Sequence, residues 1–395
     1  MKVIQINCVY GRGSTGVLTR DLHESLMARG DESLVIYGRG KKVREQGVLR
    51  LGSEILGKFG GARARLTGIM YGGCELETAA VISNLKAEKP NVVHLQCING
   101  NFVNIFRLIT FLKNEGIPTV ITLHAEFMYT ANCSHAYDCE KWITGCGGCP
   151  ELRKQTHSMF VDRTARCWAR MKEAFDGFRR LIVVPVSPWQ EARVRRSPFF
   201  DTAEVHTIMN GVDLNVFHPM GKKNASSARR ILYVTPHFDK SPGSTKGGEH
   251  LYPLAERLSD KVRISAVGPG DWGTPPANVE IIGPVWERRE LARLYAESDL
   301  TLLTSKRETF SMVTAESLCC GTPVVGFRAG GPESIALPNY SRFCEPGDIE
   351  ELAGAVMEID IPEPRVVAEK AGACYNKERT ICEYLNTYQK VRDLL

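Results

Sequence analysis

Short apolar runs alternate with longer amphipathic stretches along the first half of the chain. Gly16–Arg29 and Asn104–Asn114 repeat apolar residues at helical spacing, whereas the runs between such stretches are too short for helices. This order of strand, helix and strand predicts a parallel sheet with helices on both faces. The strands predicted in this half are Val3–Asn7, Ser33–Tyr37, Val92–Leu95, Thr119–His124 and Leu181–Val186.

The same alternation starts again in the second half. Phe217–Ser227 is polar, bears Pro and Gly and lacks periodicity, so it predicts the connection between two domains. We therefore expect an α/β protein of two doubly wound domains, residues 1–218 and 219–377, that face a central cleft. A last helix, residues 378–395, packs on the second domain or crosses back to the first. The strands predicted in this half are Ile231–Thr235, Arg263–Val267, Val279–Ile282, Leu300–Thr304 and Pro323–Phe327.

Length and composition agree with two domains. A chain of 395 residues is too long for one ordinary core. With 43% hydrophobic and 24% charged residues, the composition excludes a disordered, collagen-like or coiled-coil protein. The longest strongly apolar runs, such as Leu181–Val186, are far too short to span a bilayer. The first residues read as a buried strand, so we expect no signal peptide.

Charge and cysteine content refine this expectation. The net charge is +5, and residues 151–200 alone carry 11 Lys or Arg against 5 Asp or Glu. The 13 Cys are an odd number in a chain without an export signal, which favours a reducing compartment with free or metal-bound thiols. We therefore expect a cytoplasmic protein.

The most specific motif is a pair of glutamates, Glu308 and Glu316, followed by Gly321-Thr-Pro. A helix is predicted to begin near Phe310, and both carboxylates are expected to be helical, about 12 Å apart along the axis. That spacing is too long for an acid and base around one glycosidic bond, where about 5–9.5 Å is found. It suits two anchors on one long ligand, although an isolated pair at this spacing is more often two solvated helix charges.

These residues and the repeated domain pattern resemble the retaining glycosyltransferases of family 4, which have the GT-B fold of two Rossmann-like domains. The resemblance covers essentially the whole chain and is strongest to bacterial enzymes that build exopolysaccharide or O-antigen repeats, of the colanic-acid type. It implies that Glu308 contacts the donor sugar and Glu316 holds the nucleotide ribose. Phe310, Ser311 and Met312 then bind the donor where the helix begins.

A lysine supplies the next element. Lys246 lies in a Ser-Thr-Lys-Gly-Gly loop after a predicted strand, where a fixed cation can stabilise a departing diphosphate. The family usually has an Arg a few residues earlier. No Arg stands there in this chain, so His237 or Lys240 is the candidate replacement. The alternative is that Lys246 is a surface charge in a turn.

The loop Gly11–Gly16 has the spacing of a dinucleotide-binding fingerprint. This spacing carries the second hypothesis, an NAD(P)-dependent oxidoreductase. However, the second strand ends in Val35–Arg39 without the carboxylate that would hold a ribose. The family resemblance instead places this loop beside the donor diphosphate, and we assign Gly13 and Gly16 to close backbone approach.

Four further positions are candidates, the first three of them by resemblance. His124 ends a predicted strand and would hydrogen-bond the donor sugar, although a structural histidine is nearly as common there. Asn210 begins an Asn-Gly-Val-Asp turn that matches the family. Val285 follows a strand where similar enzymes bind the base through main-chain groups. Gly330–Glu333 begins another helix and would offer N–H groups to phosphates.

Four cysteines lie within seventeen residues: Cys133, Cys139, Cys146 and Cys149. Four thiolates at short spacing can hold a structural zinc, although the gaps are longer than in zinc fingers. Alternatively, the segment is a loop held by packing, with reduced or paired thiols. Exopolysaccharide-type relatives have a similar Cys-rich stretch.

The helix that carries Arg163, Arg166 and Arg170 has Trp168 and Met171 on another face. Such a basic amphipathic helix either rests on an anionic membrane, here the inner membrane, or is an ordinary solvated helix. The other motifs require no nucleic acid.

The function predicted from the sequence is transfer of a sugar, with retention of configuration, from a UDP- or GDP-sugar. The acceptor is a hydroxyl of a glycan or of an undecaprenyl-diphosphate-linked sugar. Protein cations and helix dipoles would stabilise the leaving group, so no catalytic metal or cofactor is expected. A zinc-dependent nucleic-acid module and a phosphorylase of the same fold are further alternatives, but the chain has no recognisable motif for a pyridoxal lysine.

Overall fold

The computed structural model describes residues 1–221 and 227–394, which form two compact units. Unit 1 comprises Met1–Ile208 with Ile381–Leu395, and unit 2 comprises Met209–Thr380. The division lies earlier than the expected boundary at residue 218. The reason is that the segment after Ile208 is bonded within unit 2, where the Val212 N–H donates to the Tyr375 carbonyl at 2.7 Å. Part of the predicted connection, residues 222–226, lies outside the described residues.

Unit 1 is built on a seven-stranded, all-parallel sheet with the order β3-β2-β1-β4-β5-β6-β7. Its central strands are continuous apolar runs, because helices cover both faces of a parallel sheet. All residues of β5 and β6 are buried. The strands are β1 (Lys2–Asn7), β2 (Glu32–Tyr37), β3 (Val48–Arg50), β4 (Val92–Leu95), β5 (Thr119–Leu123), β6 (Leu181–Pro185) and β7 (Glu204–Val205).

Eight helices connect the strands of unit 1, and part of a ninth, at the end of the chain, packs on the same sheet. In α15 (Lys377–Asp393), Tyr384 and Tyr388 are buried in one cluster with Val3 and Val120 of the sheet. This helix begins in unit 2 and belongs to unit 1 from Ile381 onward. The connecting helices are α1 (Gly13–Ala28), α2 (Glu54–Thr67), α3 (Glu75–Glu88), α4 (Ile105–Asn114), α5 (Phe127–Thr130), α6 (Lys141–Thr144), α7 (Thr164–Phe175) and α8 (Pro188–Val194).

Unit 2 repeats the design with six parallel strands in the order β10-β9-β8-β11-β12-β13. The strands are β8 (Arg229–Val234), β9 (Val262–Val267), β10 (Val279–Gly283), β11 (Leu300–Leu303), β12 (Val324–Phe327) and β13 (Ser341–Cys344). The α-helices are α9 (Leu251–Leu258), α10 (Arg288–Glu297), α11 (Met312–Cys319), α12 (Gly331–Ile335), α13 (Ile349–Glu358) and α14 (Pro364–Tyr375), and 3-10 turns lie at Gly248–His250, Ser259–Lys261 and Pro338–Tyr340.

The fold class predicted from the sequence is confirmed, since both units are parallel sheets with helices around them. All ten predicted strands are present, with ends within two residues of the prediction. The three strands without a prediction, β3, β7 and β13, are short and lie at or next to sheet edges. Their hydrophobic runs are too brief to stand out from the surrounding loops.

The basic helix near Arg163 forms as α7, but its apolar face is not exposed. Cys167, Met171, Ala174 and Phe175 are buried in the core of unit 1. Of the two alternatives for this helix, the structure therefore favours an ordinary helix with a solvated charged face, because the apolar face packs against α4 and into the core of unit 1. Within the part of the chain that the structure describes, no helix combines the length and apolar character needed to span a bilayer.

Candidate functional site

The centre of each sheet contains a point where the strand order reverses. In unit 2 the chain runs from β8 outward to β10 and then returns to β11, which lies beside β8. Loops that follow two such strands diverge to opposite faces and leave a crevice at the carboxyl ends, where open α/β sheets bind ligands. The loop after β8 carries Lys246 and the loop after β11 carries Glu308. The two candidate catalytic residues of this unit thus lie where open α/β sheets generally bind ligands.

Lys246 and Glu308 form an ion pair at this point. The Lys246 Nζ donates to Glu308 Oε1 at 2.9 Å, and the Ser305 hydroxyl donates to the same oxygen at 2.6 Å. The two side chains are 30% and 12% exposed, so the pair is shielded but accessible from solvent. The Lys246 ammonium has three N–H donors, so a phosphate oxygen can share it with Glu308.

The two loops are tied together by their backbones. The Thr304 hydroxyl donates to the Lys246 carbonyl at 2.9 Å, and the Lys306 N–H donates to the Thr245 carbonyl at 2.9 Å. Gly247 has φ of +62°, and a Cβ there would lie 2.0 Å from the Thr304 carbonyl oxygen. A glycine is therefore required where the lysine loop passes β11. These contacts fix the backbone from which the Lys246 side chain extends.

Glu308 is held in its ionised form. Burial by itself raises the pKa of this carboxyl, but the Lys246 charge and hydrogen bonds from Ser305 and Ser311 outweigh it, and the pKa lies below its usual value. Its backbone bridges to Gly330, with the Glu308 N–H donating to the Ala329 carbonyl at 2.9 Å. A carboxylate of this kind suits hydrogen-bond acceptance and charge balance rather than proton donation.

Glu308 precedes the helix rather than standing on it. We expected both glutamates to be helical, but α11 begins at Met312 and Glu308 is in the preceding loop. Ser311, with φ of +85°, caps the helix by accepting from the Thr314 N–H at 3.3 Å. Phe310 is 3% exposed and its ring packs edge-on against Tyr375, so its side chain belongs to the core. The half-buried Met312 opens the first turn of α11, whose N–H groups lack helical partners.

Glu316 lies one turn further into α11 and differs from Glu308 in its surroundings. Its Oε2 accepts from the Tyr295 hydroxyl at 3.4 Å. Burial raises the pKa of Glu316 to about 7, although the Arg288 charge and the Tyr295 hydroxyl lower it in part. Burial and the neighbouring Glu316 carboxylate raise the pKa of Tyr295 well above its usual value. Near pH 7, Glu316 is therefore present in both its neutral and its ionised form.

The glycine turn before α12 does not offer its N–H groups to a ligand. The Ala329 and Gly330 N–H groups donate to the Glu333 carboxylate at 2.9 and 2.7 Å, and the Gly331 N–H donates to the Glu308 carbonyl at 2.9 Å. The expectation that Gly330–Glu333 binds phosphates is therefore wrong. These groups instead fix the loop that carries Glu308.

The remaining donor-binding candidates of unit 2 differ in their exposure. His237 and Lys240 are exposed, and the Lys240 ammonium lies 5.4 Å from the centre of the Tyr252 ring. Val285 is half-buried in the loop between β10 and α10. Asn210 is buried near the start of the unit, and a Cβ on the following Gly211 would lie 2.7 Å from the Lys377 Cα. The glycine of the Asn-Gly-Val-Asp turn is thus required for packing.

In unit 1 the strand order reverses between β1 and β4. Asn7, at the end of β1, accepts from the N–H of Cys97 at 3.0 Å and donates to the Thr15 carbonyl at 3.2 Å, so it joins the glycine loop to β4. A Cβ at Gly16 would lie 3.2 Å from the Gly11 nitrogen, which explains a glycine by close approach within the chain. Gly13 has φ of +60° with open space around it, so conformation alone explains it.

His124 follows β5 and is oriented by a chain of buried amides. Gln5 Nε2 donates to the Thr19 carbonyl at 3.2 Å, so Gln5 Oε1 is the acceptor for Gln96 Nε2, also at 3.2 Å. Gln96 Oε1 must then accept from His124 Nε2 at 2.8 Å. Because burial lowers the pKa of His124 to about 4, its ring is neutral near pH 7. The chain of amides therefore fixes the tautomer with a proton on Nε2 and none on Nδ1.

The same chain reaches the C-terminal helix. Gln96 Nε2 also approaches His94 Nδ1 at 3.4 Å, and the Tyr388 hydroxyl lies 2.7 Å from that nitrogen. His94 Nε2 lies 2.7 Å from the Thr122 hydroxyl. Burial lowers the pKa of His94 to about 3, so this histidine is also neutral. α15 is thus hydrogen-bonded to the residues that orient His124.

The cysteine-rich segment does not form a metal site. Within residues 1–221 and 227–394, no three His, Cys, Asp or Glu side chains are grouped so that they could hold a metal ion. Burial raises the pKa of Cys133 and Cys146 to about 12, which favours thiols over thiolates, and none of Cys133, Cys139, Cys146 and Cys149 forms a disulfide. Trp142 is fully buried and donates to the Cys139 carbonyl at 2.8 Å. The structure therefore favours the alternative of a loop held by packing.

Four residues of these sites had no prediction: Ser305, Tyr295, Asn7 and Gln96. Each is polar and buried next to a strand end or on the inner face of a helix, and each contacts a candidate residue or its loop. A buried amide inside an apolar strand, as at Asn7, is the signal that the sequence offers. The hydrogen-bond partner of such a group depends on the order of strands in the sheet, which the local sequence pattern does not reveal.

Comparison with known proteins gives a consistent family. Residues 15–216 match the model described as Glycosyltransferase Family 4, and residues 274–366 match the model described as Glycosyl transferases group 1. A protein of Escherichia coli K12, described as a colanic acid biosynthesis glycosyl transferase, is 21% identical over 99% of this chain and all of its own length. A D-inositol 3-phosphate glycosyltransferase of Xylanimonas cellulosilytica is 30% identical over 42% of this chain and 46% of its own.

Solved structures share the fold over nearly the full chain. Sucrose-phosphate synthase of Thermosynechococcus elongatus superposes with a TM-score of 0.71 at 17% identity, covering 99% of each chain. Anabaena HepE, solved in complex with UDP and glucose, gives a TM-score of 0.62 at 16% identity, covering 99% of this chain and all of its own. The oxidoreductase alternative finds no support in these comparisons.

Proposed function

Because the family 4 model matches just over half of its residues, the chain belongs to glycosyltransferase family 4, and we propose that it is a retaining enzyme that uses a nucleoside diphosphate sugar. The acceptor proposed is a sugar hydroxyl on a glycan or on an undecaprenyl-diphosphate-linked precursor. The relative described as a colanic acid biosynthesis glycosyl transferase supports an acceptor of this kind. The proposed location is the cytoplasm, and the proposed pathway is the synthesis of bacterial surface polysaccharide.

The ion pair of Lys246 and Glu308 at the strand-order reversal of unit 2 is the observation that carries this proposal. Departure of a nucleoside diphosphate places negative charge on the phosphate oxygen. A pre-positioned cation stabilises that charge without any rearrangement of solvent at the moment of reaction. Lys246 is fixed by the bonds between the two loops and needs no metal to play this part.

The role of Glu308 follows from its ionisation. Since its pKa lies below the usual value, Glu308 is a carboxylate at neutral pH and accepts hydroxyl hydrogens of the donor sugar. A carboxylate held by a cation is a poor general acid. We therefore assign the proton of the acceptor hydroxyl to the leaving phosphate oxygen, as the new glycosidic bond forms on the face that the diphosphate leaves. This same-face attack preserves the anomeric configuration.

Glu316 and His124 are assigned to orientation. Glu316, in its ionised form, accepts from the ribose hydroxyls of the nucleotide, and Met312 and Val285 support the donor nearby. His124 is assigned to hydrogen-bond the donor sugar, as the family resemblance implies. Phe310 and Ser311 contribute through the backbone at the start of α11, because their side chains are engaged elsewhere.

The test begins with donor identity. Thermal unfolding of the chain is followed with UDP, GDP, ADP and their common sugars, and one nucleotide class is expected to raise Tm. The product of the matching sugar and an oligosaccharide acceptor is then examined by proton NMR, which distinguishes the two anomers. Retention supports the proposal. Inversion would contradict the same-face mechanism, and stabilisation by NADPH but by no sugar nucleotide would contradict the function.

A further inference from the structure

Helix α2 (Glu54–Thr67) in unit 1 presents its apolar side to solvent. Gly57 and Ala64 are buried and share one side of the helix. At 3.6 residues per turn, Ile55, Phe59 and Leu66 fall on the opposite side. These three side chains are 67%, 69% and 56% exposed. An ordinary surface helix has the reverse arrangement, with its apolar stripe toward the core and charges outward.

Cations lie on both sides of this exposed stripe. Lys58 and Arg65 are exposed on one flank and Arg63 on the other. The carboxylate of this helix, Glu54, stands in its first turn and pairs with Arg39 at 3.0 Å. The outward surface of α2 thus combines an apolar centre with a positively charged border, as in helices that lie in the interface of a bilayer.

A second segment extends the same surface. Met159, Phe160 and Val161 are 50%, 70% and 38% exposed. The Met159 N–H donates to the Arg65 carbonyl at 2.9 Å, so this segment adjoins the end of α2. We refer to the exposed apolar side chains of both segments as the apolar patch, which consists of Ile55, Leu56, Phe59, Leu66, Met159, Phe160 and Val161.

Exposed large apolar side chains are concentrated in the apolar patch. Of the twelve large apolar side chains exposed in the described part of the chain, these seven come from two short segments of unit 1. Contiguous exposed apolar surface with a polar border marks a site of association with a protein or a membrane.

We propose that the apolar patch and its cations dock unit 1 on an anionic lipid surface. A second copy of the chain is the less suitable partner, because a two-fold contact brings the same patch of both copies together and opposes their cations. An anionic bilayer satisfies both components, since phenylalanine side chains enter the acyl boundary and lysine and arginine contact headgroups. This inference does not depend on the proposed reaction.

Co-sedimentation with vesicles tests the proposal. The full chain is mixed with vesicles of phosphatidylcholine alone or of equal parts phosphatidylcholine and phosphatidylglycerol. Binding is expected to the anionic vesicles and to weaken with added salt. Phe59→Ser with Phe160→Ser is expected to reduce the partition coefficient by a factor of about ten or more, and Lys58→Glu with Arg65→Glu by a similar factor.

Matched controls separate docking from general effects. Trp286→Ser removes an 84% exposed side chain of unit 2, and Leu76→Ser removes a 77% exposed side chain of unit 1 outside the patch. Both are expected to bind like the parent chain, and all variants are expected to keep its Tm within about 2 °C because the side chains are exposed. Failure of the parent chain to bind anionic vesicles, or unchanged binding by the patch variants, would overturn the proposal. A dimer in sedimentation velocity that Phe59→Ser dissociates would also overturn it, in favour of a second copy.

Discussion

The two units share one sheet design but hold different chemistry at the point where the strand order reverses. In unit 2 this point carries a charged couple, Lys246 and Glu308, with Ser305 donating to the carboxylate. In unit 1 the corresponding region carries neutral groups, His124 and Gln96, whose hydrogen bonds run back to the Thr19 carbonyl. A charged couple and a set of neutral hydrogen-bonding groups thus occupy corresponding points of one architecture.

This difference indicates a different role for each position. A fixed cation counters charge that develops during a reaction, so its removal affects the rate. A neutral histidine of fixed tautomer accepts a hydrogen bond in one direction, so its disturbance affects orientation. Fold similarity between the units therefore gives no similarity of role, which depends on the side chains at the strand ends.

The largest effect is expected at the charged couple. Lys246→Ala removes the cation and Glu308→Gln removes its counter-charge, and each is expected to lower kcat by about a thousand-fold or more. Steady-state transfer from the donor found by thermal shift measures this loss. Lys306 is a cation on the Glu308 loop, and its ammonium donates to the Pro242 carbonyl. Lys306→Ala is therefore the matched control and should retain most activity. Near-normal turnover by both test variants would refute the assignment.

A smaller effect is expected at the hydrogen-bonded amides that orient His124. Gln96→Leu removes the acceptor of His124 Nε2 and the donor to Gln5 Oε1, and since these buried hydrogen bonds are lost, kcat is expected to fall about ten- to a hundred-fold. Nitrogen NMR of histidine-labelled protein should show His124 with a protonated Nε2 in the parent chain and a mixture of tautomers in the variant. A parent spectrum with protonated Nδ1 would contradict the orientation that the amides impose.

These two positions also show how far sequence reasoning reaches. Glu308, Lys246 and His124 follow strands that apolar runs define, and motif resemblance singles them out. Ser305 and Gln96 carry no motif, and their importance arises from contacts across neighbouring strands. The exposed stripe of α2 was missed because periodicity alone cannot tell which side of a helix faces the core. The zinc hypothesis was not supported because spacing along the chain does not determine whether thiols converge.

The third effect tests the carboxylate with the raised pKa. The folded state binds the proton of Glu316 more tightly than the unfolded state, so stability is greatest below about pH 4.5 and falls as pH rises through about 7. Glu316→Gln is neutral throughout and should gain about 1–2 kcal/mol over the parent chain at pH 8, with the gain absent near pH 5. Nucleotide binding should weaken several-fold. The exposed Glu297→Gln should show no such pH-dependent gain in thermal unfolding.

The smallest effect is expected where Tyr388 of the C-terminal helix α15 is hydrogen-bonded to His94. Tyr388→Phe removes the hydroxyl that bonds His94 Nδ1 and should reduce the free energy of unfolding by about 1 kcal/mol. Urea denaturation measures this change, and Tyr340→Phe in unit 2 provides the comparison. An equal loss from both variants would show that the bond between α15 and His94 contributes nothing specific.

The most direct measurement is the position of a bound donor. A crystal structure of the chain with the sugar nucleotide that raises Tm most should place diphosphate oxygens within hydrogen-bonding distance of Lys246 Nζ. The ribose hydroxyls should then lie at Glu316 and the sugar at Glu308. A nucleotide bound elsewhere, with Lys246 still paired only to Glu308, would contradict the central assignment.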